Sequence, residues 1–343
     1  MKRHLNTLYI TTQGTYLAAE GETVVARIEG ETRLRVPLHM LEGIVCFGRV
    51  SCSPQLMGRC ADRDITISFL TERGRFLARV QGPVSGNVLL RRTQYRQADD
   101  QVRSIGLASS FLTAKVANSK VVLQRALRDH SEDTAVTKVR MALKGLTRIL
   151  DDLPKAHSLD SLRGLEGDAA QTYFGVFQHL VFHQKEAFQF NGRTRRPPMD
   201  AVNTLLSFIY TLLVHDTSSA LESVGLDPQV GFLHRDRPGR PGLALDMMEE
   251  FRAFLADRLT LSLINRKQVK GSGFRRHETG GIYMDDAVRK TVLVAYQERK
   301  KEEIKHPFLG EKTTVGMLFH LQALLLARFL RGDLDAYPPF IWK

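Results

Sequence analysis

At 343 residues, 43% of them hydrophobic and 25% charged, the chain has the make-up of an ordinary globular protein and room for two domains of unequal size. Its 49 Lys and Arg against 37 Asp and Glu leave a formal charge of +12, an excess that favours a polyanionic partner, nucleic acid before an acidic membrane surface. No apolar run reaches the ~18 residues that a helix needs to span a bilayer, and no apolar signal core follows the basic start Met1-Lys2-Arg3, so a cytoplasmic location is expected.

Residues 6–82 read as β-rich. Thr7-Leu8-Tyr9-Ile10-Thr11, Tyr16-Leu17-Ala18-Ala19, Thr23-Val24-Val25-Ala26-Arg27-Ile28 and Arg33-Leu34-Arg35-Val36-Pro37 are short runs separated by Gln13-Gly14, Glu20-Gly21-Glu22 and Glu29-Gly30-Glu31, a hairpin or meander signature. Ile44-Val45-Cys46-Phe47 and Ile65-Thr66-Ile67-Ser68-Phe69-Leu70 have the character of buried strands. Between them Ser53-Pro54 predicts a helix start, serine as N-cap and proline at the first helical position. Phe76-Leu77-Ala78-Arg79-Val80 closes the series. Cys46, Cys52 and Cys60 complete neither a disulfide framework nor a zinc spacing and are expected to be buried thiols.

From about residue 86 the apolar period changes to three and four, predicting helices at 88–90, 102–130, 135–153, 166–188, 200–214, 243–264, 284–304 and 313–331. Breaks fall at 192–198, 235–242 and 271–281. The expected fold is α+β: a small β-rich domain over 1–85 followed by a larger all-α domain over 86–343. Tyr337-Pro338-Pro339-Phe340-Ile341-Trp342 is stiff and aromatic and is expected to be docked or partner-bound.

Three stretches of the helical half carry chemistry. In the first, His234 leads through a loop with Arg235, Arg237 and Arg240 into a helix bearing Asp246, Glu249 and Glu250. Side chains three and four apart share a helix face, so the acids lie beside the apolar stripe of Met247, Phe251 and Phe254. An imidazole, arginines and carboxylates together suit a divalent metal acting on a phosphodiester; the acids alone read equally as a solvated face near a helix N-terminus. The second stretch, Gly164-Leu165-Glu166-Gly167-Asp168, allows close backbone approach to a ligand or simply starts a helix. In the third, Arg193, Arg195 and Arg196 occupy a loop stiffened by Pro197-Pro198, as forks for phosphate oxygens or as a solvated charge run. His179, His183 and Glu186 have the spacing of one helix face, as ligands or as packing residues among Phe174, Phe177 and Phe182. No P-loop, dinucleotide fingerprint or Gly-x-Ser-x-Gly elbow is present.

Taken in order, four motifs resemble CRISPR-associated protein one, the integrase and DNA endonuclease of spacer acquisition. They are Gly164-Leu165-Glu166-Gly167, Arg195-Arg196-Pro197-Pro198-Met199-Asp200-Ala201-Val202-Asn203, Gly231-Phe232-Leu233-His234 and Leu245-Asp246-Met247-Met248-Glu249-Glu250-Phe251-Arg252. The resemblance covers nearly the whole chain, and Tyr337-Pro338-Pro339-Phe340 looks like the branch that accompanies type I-C systems. It implies a catalytic set of Glu166, His234, Asp246 and Glu249. Glu166, His234 and Glu249 would be the ligands of Mg²⁺ or Mn²⁺, Glu249 standing where other branches place aspartate, and Asp246 would either bind the ion or sit behind it. It further implies double-stranded DNA as substrate, a homodimer formed through the β-rich domain, assembly with the second CRISPR-associated protein and help from a fourth-family iron–sulfur nuclease.

The chemistry of the residues agrees with that implication. A metal held by few protein ligands keeps positions for water and phosphate oxygens, and one imidazole among carboxylates suits Mn²⁺ as well as Mg²⁺. Joining a 3′-hydroxyl to a phosphodiester is a transesterification that needs no ATP, in keeping with the missing P-loop. Arg193, Arg195, Arg196, Arg235, Arg237 and Arg240 are the expected phosphate contacts. Two other readings compete: a structure-specific repair nuclease acting on branched DNA, and a non-catalytic DNA-binding scaffold whose acids only solvate a helix.

Overall fold

The computed structural model describes residues 6–63, 65–72, 76–80, 82, 87–129, 136–234, 236–278 and 280–342. The chain divides into two compact units, residues 1–85 with 293–302, and residues 86–292 with 303–343. In chain order the first unit carries β1 (Asn6–Ile10), β2 (Tyr16–Glu20), β3 (Thr23–Ile28), β4 (Glu31–Pro37), β5 (Leu41–Phe47), β6 (Ser51–Cys52), α1 (Pro54–Ala61), β7 (Thr66–Leu70) and β8 (Phe76–Val80).

These strands form two four-stranded sheets, ordered β1-β5-β7-β8 and β4-β3-β2-β6. The second contains the expected meander, β2, β3 and β4 being antiparallel neighbours. The first departs from it: β1 pairs parallel with β5, and β5 parallel with β7. Parallel neighbours need a crossover, and α1 supplies one between β5 and β7. β5 sits inside that sheet and is a near-continuous apolar run, as a strand buried on both faces must be. Leu17, Val24, Leu38, Ile44, Leu56 and Ile67 make the core of the unit, with Cys46 and Cys60 among them. Burial pushes the Cys60 thiol up to about 12, so it packs as a small hydrophobe.

The second unit carries α2 (Val88–Asp99), α3 (Gln101–Asp129), α4 (Val136–Asp152), α5 (Leu159–Gly175), α6 (Ala201–Ser223), α7 (Gly242–Phe251), α8 (Arg258–Asn265), β9 (Phe274–Arg276), β10 (Ile282–Met284), α9 (Asp286–Lys301), β11 (Glu303–Lys305), β12 (Lys312–Thr314) and α10 (Met317–Arg331). Residues 293–302, which include the second half of α9, cluster with the first unit, where Gln297 Nε2 donates to Thr7 O at 3.2 Å. In the helical unit α3 packs against α4, α5 and α7, and α6 against α7 and α10. α6 is buried along most of its length, which explains why its sequence, Ala201-Val202-Asn203-Thr204-Leu205-Leu206, is apolar nearly all round.

Four expectations change. The helical unit is not all-α, because β9 pairs with β10 and β11 with β12 in two short hairpins, the first occupying the expected break at 271–281. The helix predicted from 166 starts at Leu159, where Ser158 and Ser161 form a reciprocal capping box. It also stops at Gly175, so 166–188 is not one helix. Asn265 explains the stop: its Oδ1 accepts from Phe182 N and His183 N, and its Nδ2 donates to Leu180 O, giving the backbone partners that a continued helix would have supplied. His179 therefore lies in a 3₁₀ turn, His183 beyond it, and with Glu186 they do not share a helix face. Finally, the helix predicted over 243–264 is broken by a π-helical segment, Arg252–Asp257, between α7 and α8.

Ser53 Oγ accepts from Leu56 N at 3.1 Å with Pro54 at the first helical position, as the sequence predicts. Ser53→Ala should cost about 1 kcal/mol through loss of that cap, read as a shift in the urea midpoint at unchanged slope.

Candidate active site

α7 carries Asp246, Glu249 and Glu250, and none of the three is exposed to solvent. A solvated acidic face is thereby overturned: each carboxylate is taken out of water, and each is met by its own set of polar or charged partners. The helix begins against the segment that carries His234. Gly242 N donates to Gln229 O at 2.9 Å, and a Cβ on Gly231 would stand 2.6 Å from the Gly242 carbonyl carbon and 2.7 Å from Asp246 Oδ2. Glycine at 231 is what allows that approach.

Asp246 clamps the segment. Its Oδ2 accepts from Phe232 N (2.6 Å) and Leu233 N (2.9 Å), and its Oδ1 from His234 N (3.0 Å) and His234 Nδ1 (2.5 Å). Arg163, on α5, holds the same segment from the other side, its guanidinium donating to Leu233 O. Four donors use the acceptor capacity of Asp246. With Nδ1–H committed to the carboxylate, Nε2 is the nitrogen His234 can offer to a ligand.

Glu249 meets charge instead. Lys115 Nζ, on α3, stands 3.0 Å from Glu249 Oε2 and 2.6 Å from Glu166 Oε1, and Arg252 Nη1 stands 2.9 Å from Glu249 Oε1. The two cations compensate the Glu249 charge, yet neither of its oxygens receives a properly aimed hydrogen bond. Burial alone would raise Glu166, but Lys115, Arg252 and His234 together hold it down at about 2. Glu166, His234 and Glu249 thus belong to one neighbourhood with Lys115 and Arg252.

Beside these groups lies a small cavity of about 30 Å³, lined by Lys115, Tyr173, Arg193, Arg195, Tyr210 and Asp257 among others. Arg193 and Arg252 stand over the Tyr210 ring with guanidinium carbons 5.2 and 4.9 Å from its centre. Tyr210 OH donates to Asp257 Oδ1 at 2.6 Å. Burial pushes Asp257 up to about 6 against the pull of the Tyr210 and Tyr173 hydroxyls and of Arg193 and Arg252. The π-helical turn places Arg252 and Asp257 at this cavity, a position such turns take often at functional sites.

The expected phosphate contacts divide. Arg195 and Arg196 are exposed in the loop before α6, and Arg195 lines the cavity. Arg237 is exposed, whereas Arg240 is half-buried; burial and Arg237 lower its pKa, opposed by the charges of Asp246 and Glu166. Arg193 turns inward, donating to Asn203 Oδ1 (2.6 Å), Thr194 O (2.7 Å) and Ser207 Oγ (3.2 Å). Asn203 also donates to Gly192 O and accepts from Thr194 N, so the loop is tied to α6, which Asp200 caps. Arg235 lies outside the described residues.

Sequence reasoning missed Lys115, Arg252, Tyr210 and Asp257. The signal for Lys115 was a cation inside the apolar run Phe111-Leu112-Thr113-Ala114-Lys115-Val116, which a buried anion is one way to retain. Arg252 and Asp257, opposite charges flanking the apolar run Ala253-Phe254-Leu255-Ala256, were a similar signal.

The residues present suit a divalent ion by their chemistry, two carboxylates and one imidazole nitrogen, and by the undirected oxygens of the buried Glu249. Among the described residues no three His, Cys, Asp or Glu side chains stand close enough together to hold an ion as they are, and Lys115 separates Glu166 from Glu249.

The family described as CRISPR associated protein Cas1 matches residues 8–298. The chain is 56% identical over 343 residues to a CRISPR-associated endonuclease Cas1 of Chlorobaculum tepidum, covering all of both chains. It is 34% identical over 336 residues to a Cas4 exonuclease/Cas1 endonuclease fusion of Rhodospirillum rubrum, covering 97% of this chain and 57% of the fusion. The fold agrees with that of a Cas1 protein from Thermotoga maritima at a TM-score of 0.82 and 23% identity, over 96% of this chain and 97% of the other.

Glu166 sets an acid limit. A carboxyl held at about 2 rather than 4.5 contributes stability that is present above pH 4.5 and lost as pH falls toward 2. In chelator, wild type should lose on the order of 3 kcal/mol across that window from this group, and Glu166→Gln should flatten the slope, both read from urea midpoints at stepped pH.

Proposed function

The chain belongs to the Cas1 family of CRISPR-associated proteins, and from that membership and its site we propose a metal-dependent DNA endonuclease and integrase of CRISPR adaptation that joins the 3′-hydroxyl of a captured fragment to the CRISPR repeat. Its nuclease character follows from the endonucleases to which it is so closely similar. The observation that carries the metal-dependent reading is the pairing of a buried, undirected Glu249 carboxylate with an imidazole whose Nδ1 is committed to Asp246.

Glu166, Glu249 and His234 Nε2 would hold Mg²⁺ or Mn²⁺. When bound, the ion would supply Lewis acidity to the scissile phosphate and to the attacking and leaving oxygens. The chain's own residues do the rest. Asp246 fixes the ring plane and tautomer of His234, the outer carboxylate of a carboxylate–histidine–metal arrangement. Lys115 and Arg252 place positive charge beside the acids, where phosphate oxygens arrive. Arg195, Arg196, Arg237 and Arg240 hold the backbone on either side, while Arg193 braces the loop that presents two of them and, like Arg235, remains a candidate contact.

In strand transfer one P–O bond forms to the fragment's 3′-oxygen and one breaks to the 3′-oxygen of the repeat, and the hydroxyl proton passes from attacker to leaving group. Phosphodiester bonds are conserved in number and no nucleotide triphosphate is consumed. With water as attacker the same arrangement hydrolyses.

The residues 1–85 are assigned to homodimerisation and 86–343 to catalysis. The second CRISPR-associated protein is the proposed bridge between dimers. A fourth-family iron–sulfur nuclease is a proposed helper, a pairing that the fused relative supports. Tyr337-Pro338-Pro339-Phe340 supports the type I-C branch. No helix among the described residues is long and apolar enough to cross a membrane, and the DNA substrates argue for the cytoplasm.

The test is strand transfer of a short 3′-OH duplex into a supercoiled plasmid carrying a repeat, with Mn²⁺, Mg²⁺ or chelator, with and without the second CRISPR-associated protein. Joining at repeat ends should need the metal and vanish in Glu166→Ala and His234→Ala, with Asp246→Asn slower by about 10–100-fold. Unchanged cutting in both alanine variants would sink the metal site and place the nuclease elsewhere, and DNA binding without any metal-dependent cutting or joining in the wild type would leave a basic DNA scaffold. In the same preparations Arg195→Ala and Arg196→Ala should each weaken DNA binding evenly across sequences and reduce the log–log salt slope by about 1.

A further inference from the structure

Glu250 is adjacent to Glu249 on α7 but takes no part in the site. Its carboxylate is fully buried and accepts from Tyr337 OH (2.5 Å), Phe340 N (2.7 Å) and Gln322 Nε2 (2.8 Å). Two of these donors belong to the segment Tyr337–Trp342, and Gln322 is itself tied to that segment through Tyr337 OH and Pro338 O. α3 repeats the arrangement. Lys115 reaches the acids of the site; three residues on, Asn118 Nδ2 donates to Glu250 O (2.7 Å) and Phe340 O (2.9 Å), and Asn118 Oδ1 accepts from Trp342 N (2.8 Å). Phe340 packs on Phe251 and Phe254, and Trp342 lies under the guanidinium groups of Arg125 and Arg258.

Each of two packed helices thus carries a side chain of the site, Glu249 on α7 and Lys115 on α3, close to one that holds the same strap, Glu250 and Asn118. One residue is about 100° of helix rotation, so a turn of α7 that swings Glu249 off Lys115 must also pull Glu250 from Tyr337 and Phe340. We propose that the segment Tyr337–Trp342 is a positioning element of the reaction: by holding Glu250 and Asn118 it sets the rotation of α7 against α3 that aims Glu249 at Lys115 and Glu166. This rests on the reading of Glu249 as a metal ligand. A segment that only completed the core would need apolar side chains alone, whereas this one supplies a hydroxyl and a backbone N–H to a buried carboxylate, and a second N–H to a buried amide.

The test uses the full chain, Tyr337→Phe, which removes one hydroxyl and little else, and a chain ending at Ala336. Three quantities are read: kcat and KM for strand transfer, Mn²⁺ affinity from the loss of the free-ion electron spin resonance signal, and amide hydrogen exchange over 246–251. Tyr337→Phe should lower kcat and Mn²⁺ affinity about tenfold with KM within about twofold, and the shortened chain about 100-fold, the range found when groups behind metal ligands are removed. Exchange over 246–251 should speed up in both variants, and in Tyr337→Phe by more, relative to the rest of the helical unit, than the fall in its global unfolding midpoint accounts for. Wild-type kcat, Mn²⁺ affinity and α7 exchange in Tyr337→Phe would overturn the proposal, whether or not the shortened chain folds. If the wild-type chain binds no Mn²⁺, the metal reading fails separately. Exchange then decides the strap: unchanged protection of 246–251 overturns it, and selective loss upholds it.

Discussion

Three carboxylates within five residues of one helix, all withdrawn from water, are the constraint that organises the helical unit. A buried carboxylate left without compensation costs several kcal/mol, and three on one short helix cannot share a single partner, because they leave it in different directions. Asp246 is answered by backbone amides and an imidazole, Glu249 by an ammonium and a guanidinium, and Glu250 by a phenol, an amide side chain and a backbone N–H. Those partners come from the segment before α7, from α3, from the π-helical turn, and from α10 with the segment that follows it. α7 is therefore the point at which distant parts of the chain become mutually dependent.

The three answers differ in kind, and the difference assigns the roles. Asp246 accepts four hydrogen bonds and Glu250 three, and acceptors so occupied hold structure in place. Glu249 is balanced by charge, ion-paired through one oxygen to Lys115 and through the other to Arg252, with no aimed hydrogen bond at either, which is what supports the proposal that it takes a cation. Burial serves the same end: in surroundings of low polarity the attraction between a carboxylate and a positive ion is strengthened.

Most of the architecture was legible in the sequence because it rests on local rules. Period-two runs between Gly turns marked the strands, and Ser53-Pro54 marked α1. What failed depended on partners far along the chain. The parallel pairing of β1, β5 and β7 leaves no turn signal. The end of α5 is decided by Asn265, and no local propensity at 176–188 announces it. In the candidate site, Glu166, His234 and Glu249 were singled out through motif order and fall in one neighbourhood around Lys115 and Arg252, but the acids were read as one face. Helical spacing does say which residues are neighbours. It does not say that Asp246, Glu249 and Glu250 end in three different environments. Arg193 shows the same limit from the other side: its sequence position reads as a phosphate fork and gives no sign of the hydrogen bonds it makes to Asn203 and Ser207.

The π-helical turn at Arg252–Asp257 carries a consequence for how this stretch is counted. Residues 243–264 look like one amphipathic helix on paper, and a wheel drawn through them assigns every side chain a bearing. One extra residue in a turn offsets everything downstream by about 100°. A tally of faces begun at Asp246 is therefore out of step by Asp257, and the two ends of the stretch follow separate indices. A straight α-helix laid over this stretch matches it face for face only on one side of the turn, so its count has to be cut at Arg252 and restarted at Arg258.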